Sequence, residues 1–150
     1  MDELKLKPFI RKPHYYETDQ MGIIHHANYI RWFEEARCDL LEQLGYGYTK
    51  CVESGIDFAL LGLSCDYKSM VRYGDTVKIT LAVTELTTAR LTIRYEVRDA
   101  QTDALRTTGE TRHCAFDGRR QRPVAIKRAL PALYALFEQL LEKESAAPHC

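Results

Sequence analysis

The stretch YYETDQMGIIHHANYIRWFEEAR, residues 15–37, changes character at its middle, and that change sets the architecture. From Asn28 onward the apolar residues Tyr29, Trp32, Phe33, Ala36, Leu40, Leu41 and Leu44 recur at three- and four-residue steps, the spacing of one helix face. Asn28 is placed to serve as N-cap or first-turn residue, and Gly45 to stop the helix. A helix from Asn28 to Leu44 has about 16 residues and is roughly 24 Å long, enough to cross a sheet. Upstream, FIRKPHYYE (residues 9–17) carries aromatics and an early proline, which suits a first strand beginning near a sheet edge.

Downstream the period is two. After a loop, GYGYTKCVESG, the run from Phe58 to Tyr73 sets Leu61, Leu63, Cys65 and Tyr67 on alternate positions, and Gly74-Asp75 marks a turn. Residues 76–86 alternate Val77, Ile79, Leu81 and Val83 with Thr and Lys, and residues 90–98 alternate Leu91, Ile93, Tyr95 and Val97 with Arg90, Thr92, Arg94, Glu96 and Arg98. One face of each strand is therefore wet. A fifth strand spans Leu105 to Asp117, where Gly109 allows close packing or a bulge. The loop DGRRQRP leads to a last helix from Pro131 to Lys143, with Leu133, Leu136, Phe137, Leu140 and Leu141 as its stripe and SAAPHC as a frayed tail. The expected class is α+β: a five-stranded antiparallel sheet around one long helix, plus a C-terminal helix.

Composition narrows the function classes. A chain of 150 residues with 45% hydrophobic and 28% charged residues is expected to be one soluble domain. Twenty-one basic residues balance 21 acidic ones, so no overall field draws it to nucleic acid or an anionic bilayer. No run of eighteen apolar residues and no leader is visible, which makes the cytoplasm the expected compartment. The five cysteines, Cys38, Cys51, Cys65, Cys114 and Cys150, are scattered and are read as reduced thiols.

Chemistry concentrates between the first strand and the helix. Asp19 lies in a turn closed by Gly22, and the helix starts a few residues later with backbone N–H groups near His26, Ala27 and Asn28. Those amides carry the positive end of the helix dipole, roughly half a charge, and can hold a developing oxyanion. A carboxylate beside such donors is sufficient for acyl transfer. An Asp in a Thr-Asp-Gln-Met-Gly turn also has a purely conformational use, and spacing alone leaves both open.

The same run resembles the signature of the 4-hydroxybenzoyl-CoA thioesterase branch of the hotdog superfamily. The matching positions are Thr18, Asp19, Gly22, His26, Asn28, Tyr29, Glu34, Ala36 and Arg37, and the likeness continues through Gly55, Arg72 to Asp75, and Gly109 to His113. It departs at Met70, near which the family has a proline. The resemblance implies a hotdog fold, dimers joined sheet edge to sheet edge and often doubled to a homotetramer, and active sites shared between subunits. It implies that Asp19 is nucleophile or general base and that the His26 amide polarises a thioester carbonyl, with its imidazole as a further helper. The implied substrate is an acyl group on coenzyme A or acyl carrier protein, and no cofactor is called for.

Other residues are weighed against plainer roles. Gly22, Ala27, Asn28 and Tyr29 are counted as lining the thioester, although Tyr29, Trp32 and Phe33 also suit a core. Lys68, Arg72, Arg90, Arg119, Arg120 and Arg122 form a candidate set for coenzyme A phosphates, although such residues are commonly just solvated charge. No metal is expected, since side chains of His25 and His26 in an extended segment would point apart and no third ligand is spaced to join them. Glu34 is expected to pair with Arg37 three residues on. Thioester hydrolysis competes with hydratase or dehydratase chemistry, which calls for a His/Asp or His/Glu pair, and with a non-catalytic acyl-CoA sensor or scaffold, whose mark would be loss of the carboxylate.

Overall fold

A long helix packs against one face of an antiparallel sheet. The computed structural model describes residues 5–141. In chain order the elements are β1 (Phe9–Arg11), a 3-10 turn (Tyr15–Glu17), α1 (Ala27–Gln43), α2 (Tyr48–Ser54), β2 (Ile56–Tyr67), β3 (Val77–Leu86), β4 (Arg90–Asp99), β5 (Leu105–Asp117), β6 (Arg122–Val124), α3 (Ile126–Ala129) and α4 (Pro131–Leu140). The sheet has six strands in the order β1-β3-β4-β5-β2, with β6 hydrogen-bonded to the end of β5 and every pairing antiparallel.

Helix α1 forms where the 3.6-residue period predicts it. Tyr29, Trp32, Phe33, Ala36 and Leu40 are buried along one stripe. It ends in a Schellman turn: the Gly45 N–H reaches the Glu42 carbonyl at 3.0 Å and the Tyr46 N–H reaches the Leu41 carbonyl at 2.7 Å, with Gly45 at φ +79°. Facing the stripe are Val77 and Ile79 of β3, Tyr95 and Val97 of β4, and Thr107 and Thr111 of β5. Each large apolar side chain buried here contributes roughly 1.5–3 kcal/mol. Gly109 sets how near the helix comes, since a Cβ there would run into the Phe33 ring. Of the two readings of Gly109, close packing is the one realised.

Several boundaries move. The first strand stops at Arg11 instead of Glu17, because Pro13 lacks a ladder N–H and the chain turns to bury Glu17. The 45–55 loop contains α2, a two-turn helix with no buried residue and therefore no apolar stripe to announce it. The second strand begins at Ile56 and ends at Tyr67, and a bulge at Leu61, between the pairs Leu60–His113 and Gly62–Arg112, puts Phe58 and Leu60 on the face of Leu63, Cys65 and Tyr67. Met70, at the departure from the family pattern, lies past the strand and is half exposed. DGRRQRP is a β-hairpin into β6. The last helix ends at Leu140, while residues 142–143 of the expected helix, the tail and Cys150 lie outside the described residues.

Candidate functional site

Asp19 sits in a seven-residue hairpin pinned by the Thr18–Ile24 bridge. The Asp19 N–H donates to the Ile23 carbonyl at 2.8 Å, and the Gly22 N–H donates to the Asp19 carbonyl at 3.0 Å. Gly22 adopts φ +77°, a conformation in which a side chain is strained. The Met21 N–H donates to Asp19 Oδ1 at 2.8 Å, and among the described residues nothing donates to Oδ2. One oxygen of Asp19 therefore shapes the turn, and the other is not engaged by any described residue. The hairpin is fastened to the segment after β2 through the Ile24 N–H and the Val71 carbonyl, 2.9 Å, and the Ile23–Arg72 bridge.

Asp19 opens on a cavity of about 350 Å³ bounded by His26, Tyr29, Tyr67, Lys68 and Met70. Of the three amides expected to point freely from the helix start, two are occupied. The Ala27 N–H donates to His25 Nδ1 at 3.1 Å and the Asn28 N–H to the His25 carbonyl at 3.0 Å. The His26 N–H makes no hydrogen bond among the described residues, so it is the one of the three that stays unengaged. Asn28 is a first-turn residue, not the cap, and its buried side chain donates Nδ2–H to the Glu17 carbonyl at 2.8 Å. Tyr29 is 3% exposed yet still borders the cavity, serving core and pocket together. Burial raises its phenol, and the lowering contacts do not offset that.

Two contributors escaped sequence reasoning. Tyr67 donates its hydroxyl to the His26 carbonyl at 2.8 Å, across 41 positions of sequence. Burial, then the neighbouring Cys65, pushes its phenol well above the ordinary range, so it remains a donor. Glu17 is 3% exposed; burial alone would raise its carboxyl, but the His14 amide, the Trp32 indole and Arg11 together hold it below the ordinary value. Its place beside the Thr-Asp pair was the one available signal.

The cationic candidates divide between two places. Lys68 borders the cavity and Arg72 adjoins the hairpin. Arg90, Arg119, Arg120 and Arg122 lie at the other end of the sheet: Arg90 pairs with Cys114, Arg122 pairs with Asp117, Arg119 holds the Glu53 carbonyl at 2.9 Å, and Arg120 approaches Asp117 at 3.9 Å. Tyr67 and Ile56 mark opposite ends of β2, roughly 35 Å apart at about 3.3 Å per residue, so one chain does not bring both sets to one ligand.

Other expectations are corrected. Arg37 donates to the Tyr95 hydroxyl at 3.2 Å rather than pairing with Glu34. The His25 and His26 rings stack at 4.1 Å instead of diverging, because His26 is already in a helical conformation. No group of three or more His, Cys, Asp or Glu placed to hold a metal occurs among the described residues. A smaller cavity of about 130 Å³ between α1, β2 and α4 is bordered by Glu34, Arg37, Cys38, Asp57 and His113. Burial, then Arg37, lowers His113 to about 4, so it is neutral at physiological pH.

Comparison with known proteins identifies the family. The family model described as the thioesterase-like superfamily matches residues 13–136. A protein of Aquifex aeolicus is 38% identical over 109 residues, which is 71% of this chain and 84% of that one. Acyl-CoA thioesterase YbgC of Haemophilus influenzae is 26% identical over 122 residues, 81% of this chain and 88% of that one. The crystal structure of DHNA-CoA thioesterase from Staphylococcus aureus matches with a TM-score of 0.82 at 30% identity, covering 88% of each chain.

Proposed function

The chain belongs to the thioesterase-like superfamily and has the hotdog fold, and from that premise we propose that this thioester hydrolase cleaves an acyl-CoA with Asp19 as the reacting carboxylate. The observation that carries the reading is the pairing of an available Asp19 Oδ2 with a free His26 amide around a 350 Å³ cavity. The amide and the helix dipole stabilise negative charge as it builds on the carbonyl oxygen. Oδ2 then either attacks the carbonyl carbon, releasing the thiolate and leaving an anhydride that water cleaves, or takes a proton from water that attacks in its place. Both routes yield free acid and thiol, and neither calls for a cofactor. Lys68 at the rim of the cavity and Arg72 beside the hairpin are this chain's nearest candidates for the nucleotide phosphates.

Asp19→Asn keeps the shape and the Met21 contact but removes the reacting oxygen. Turnover of acyl-CoA, followed by released thiol, is expected to fall on the order of 10² to 10⁴. Near wild-type turnover in this variant would refute the assignment.

We infer also that two copies pair through β2. It is an outermost strand with Leu60, Leu61 and Leu63 exposed at 46%, 46% and 39%, an edge that proteins usually cover. A twofold, antiparallel pairing sets the Arg119–Arg122 end of one copy beside the Asp19 end of the other, which reunites the divided cationic set. Light scattering on a size-exclusion column should return a dimer or a multiple of it. A monomer at micromolar concentration sinks this assembly and the shared site.

A further inference from the structure

Glu17 precedes Asp19 by two residues and makes more polar contacts than its reactive neighbour. Oε1 accepts from the His14 N–H at 2.7 Å and from Arg11 Nη1 at 3.0 Å. Oε2 accepts from the Trp32 indole at 2.8 Å and from Arg11 Nη2 at 3.0 Å. Its backbone carbonyl accepts twice more, from the His25 N–H and from Asn28 Nδ2, both at 2.8 Å. Arg11 is held in turn by Glu35 at 2.8 Å and lies over the Trp32 ring.

These bonds join three parts of the molecule: β1 through Arg11, the body of α1 through Trp32, and the entry to α1 through His25 and Asn28. The carboxylate of Asp19 and the amide of His26 therefore hang from one residue, the first by two peptide units and the second through His25. Stability alone does not account for such a group, since well-packed apolar side chains often stabilise as much as a buried ion pair. What a carboxylate with four fixed donors adds is a single geometry.

We propose that Glu17 is the positioning residue of this site, holding the Asp19 carboxylate and the His26 amide at the separation the reaction requires. The proposal rests on the reading of Asp19 given above. Misplacement of a reacting group by about 1 Å can cost on the order of a hundredfold in rate. Glu17→Gln preserves shape but loses the charge and one acceptor, so kcat should fall roughly ten- to a hundredfold while KM stays within about threefold.

Trp32 is the single tryptophan of the chain, so its indole N–H gives one signal in a nitrogen–proton correlation spectrum of the full-length protein. That signal should move upfield in Glu17→Gln as the charge-assisted bond weakens. A double-mutant cycle supplies the decisive reading. If Glu17 acts through Asp19 as well as through the His26 amide, Glu17→Gln introduced into Asp19→Asn should cost the residual rate several-fold less than it costs the wild type, the remainder being the amide's share. Multiplying losses, or a Glu17→Gln enzyme whose kcat stays within about twofold of wild type, would overturn the proposal and leave Asp19 standing. An Asp19→Asn enzyme with full turnover would instead remove the reading beneath it. Should Glu17→Gln fail to fold, Trp32→Phe, which deletes one donor and keeps a ring, decides: a severalfold loss in kcat at constant KM supports positioning, and an unchanged kcat overturns it.

Discussion

Glu17 and Asp19 are two carboxylates separated by one threonine, and their surroundings differ in almost every respect. Glu17 is 3% exposed and takes four side-chain hydrogen bonds, while Asp19 is half-buried and takes one, from the Met21 amide. A carboxylate whose lone pairs are all engaged has nothing left to offer a substrate, but its neighbours cannot move without breaking bonds. A carboxylate with an unengaged oxygen facing a cavity is poor at holding structure and suited to chemistry. Placing the two so close lets the fixed one define the position of the available one.

The contrast should be largest in stability. Glu17→Gln removes one partner of a buried ion pair and is expected to lower the unfolding free energy by roughly 3 kcal/mol, whereas Asp19→Asn keeps its turn contact and should change it by less than about 0.5 kcal/mol. Urea unfolding of both variants measures this directly. Equal losses would erase the distinction between holding and reacting.

Acid gives a smaller, sharper test. The folded-state carboxyl of Glu17 lies below its ordinary 4.5, so the unfolded chain binds the proton more readily and Glu17's share of stability, complete well above pH 4.5, drains away as pH falls through the folded value. His113 acts in an adjoining window: its folded value of about 4 lies below the ordinary 6.5, so stability is also lost as pH drops between these values. Glu17→Gln keeps the His113 contribution and loses its own. Its stability should therefore slope less with pH below about 4.5, by at most one proton, or about 1.4 kcal/mol per pH unit. Parallel curves for variant and wild type would mean that Glu17 is not held in its charged form by the fold.

What the sequence made legible follows from how local each cause is. The 3.6-residue stripe from Tyr29 to Leu40 and the alternation in β3 and β4 are read from neighbours, and both were found where they were expected. The Asp19 turn is equally local, since Gly22 and the Met21 amide lie within three residues. Helix α2 buries nothing and so left no pattern. Tyr15 and Tyr16 looked like strand residues, yet they are 76% and 77% exposed, because the next residue turns inward to meet Arg11 and Trp32. The bulge at Leu61 and the hydroxyl of Tyr67 on His26 depend on partners 41 or more positions away, and no spacing rule reaches that far.

The open edge at β2 carries a consequence for how durable the protein is. If its leucines and backbone groups are satisfied by a second copy, part of what keeps each chain folded is an association, and association responds to concentration. Each tenfold dilution then takes about 1.4 kcal/mol from every pair. The melting temperature becomes a function of how much protein is in the tube, and an assay run at nanomolar enzyme tests a less durable molecule than the one in a concentrated stock.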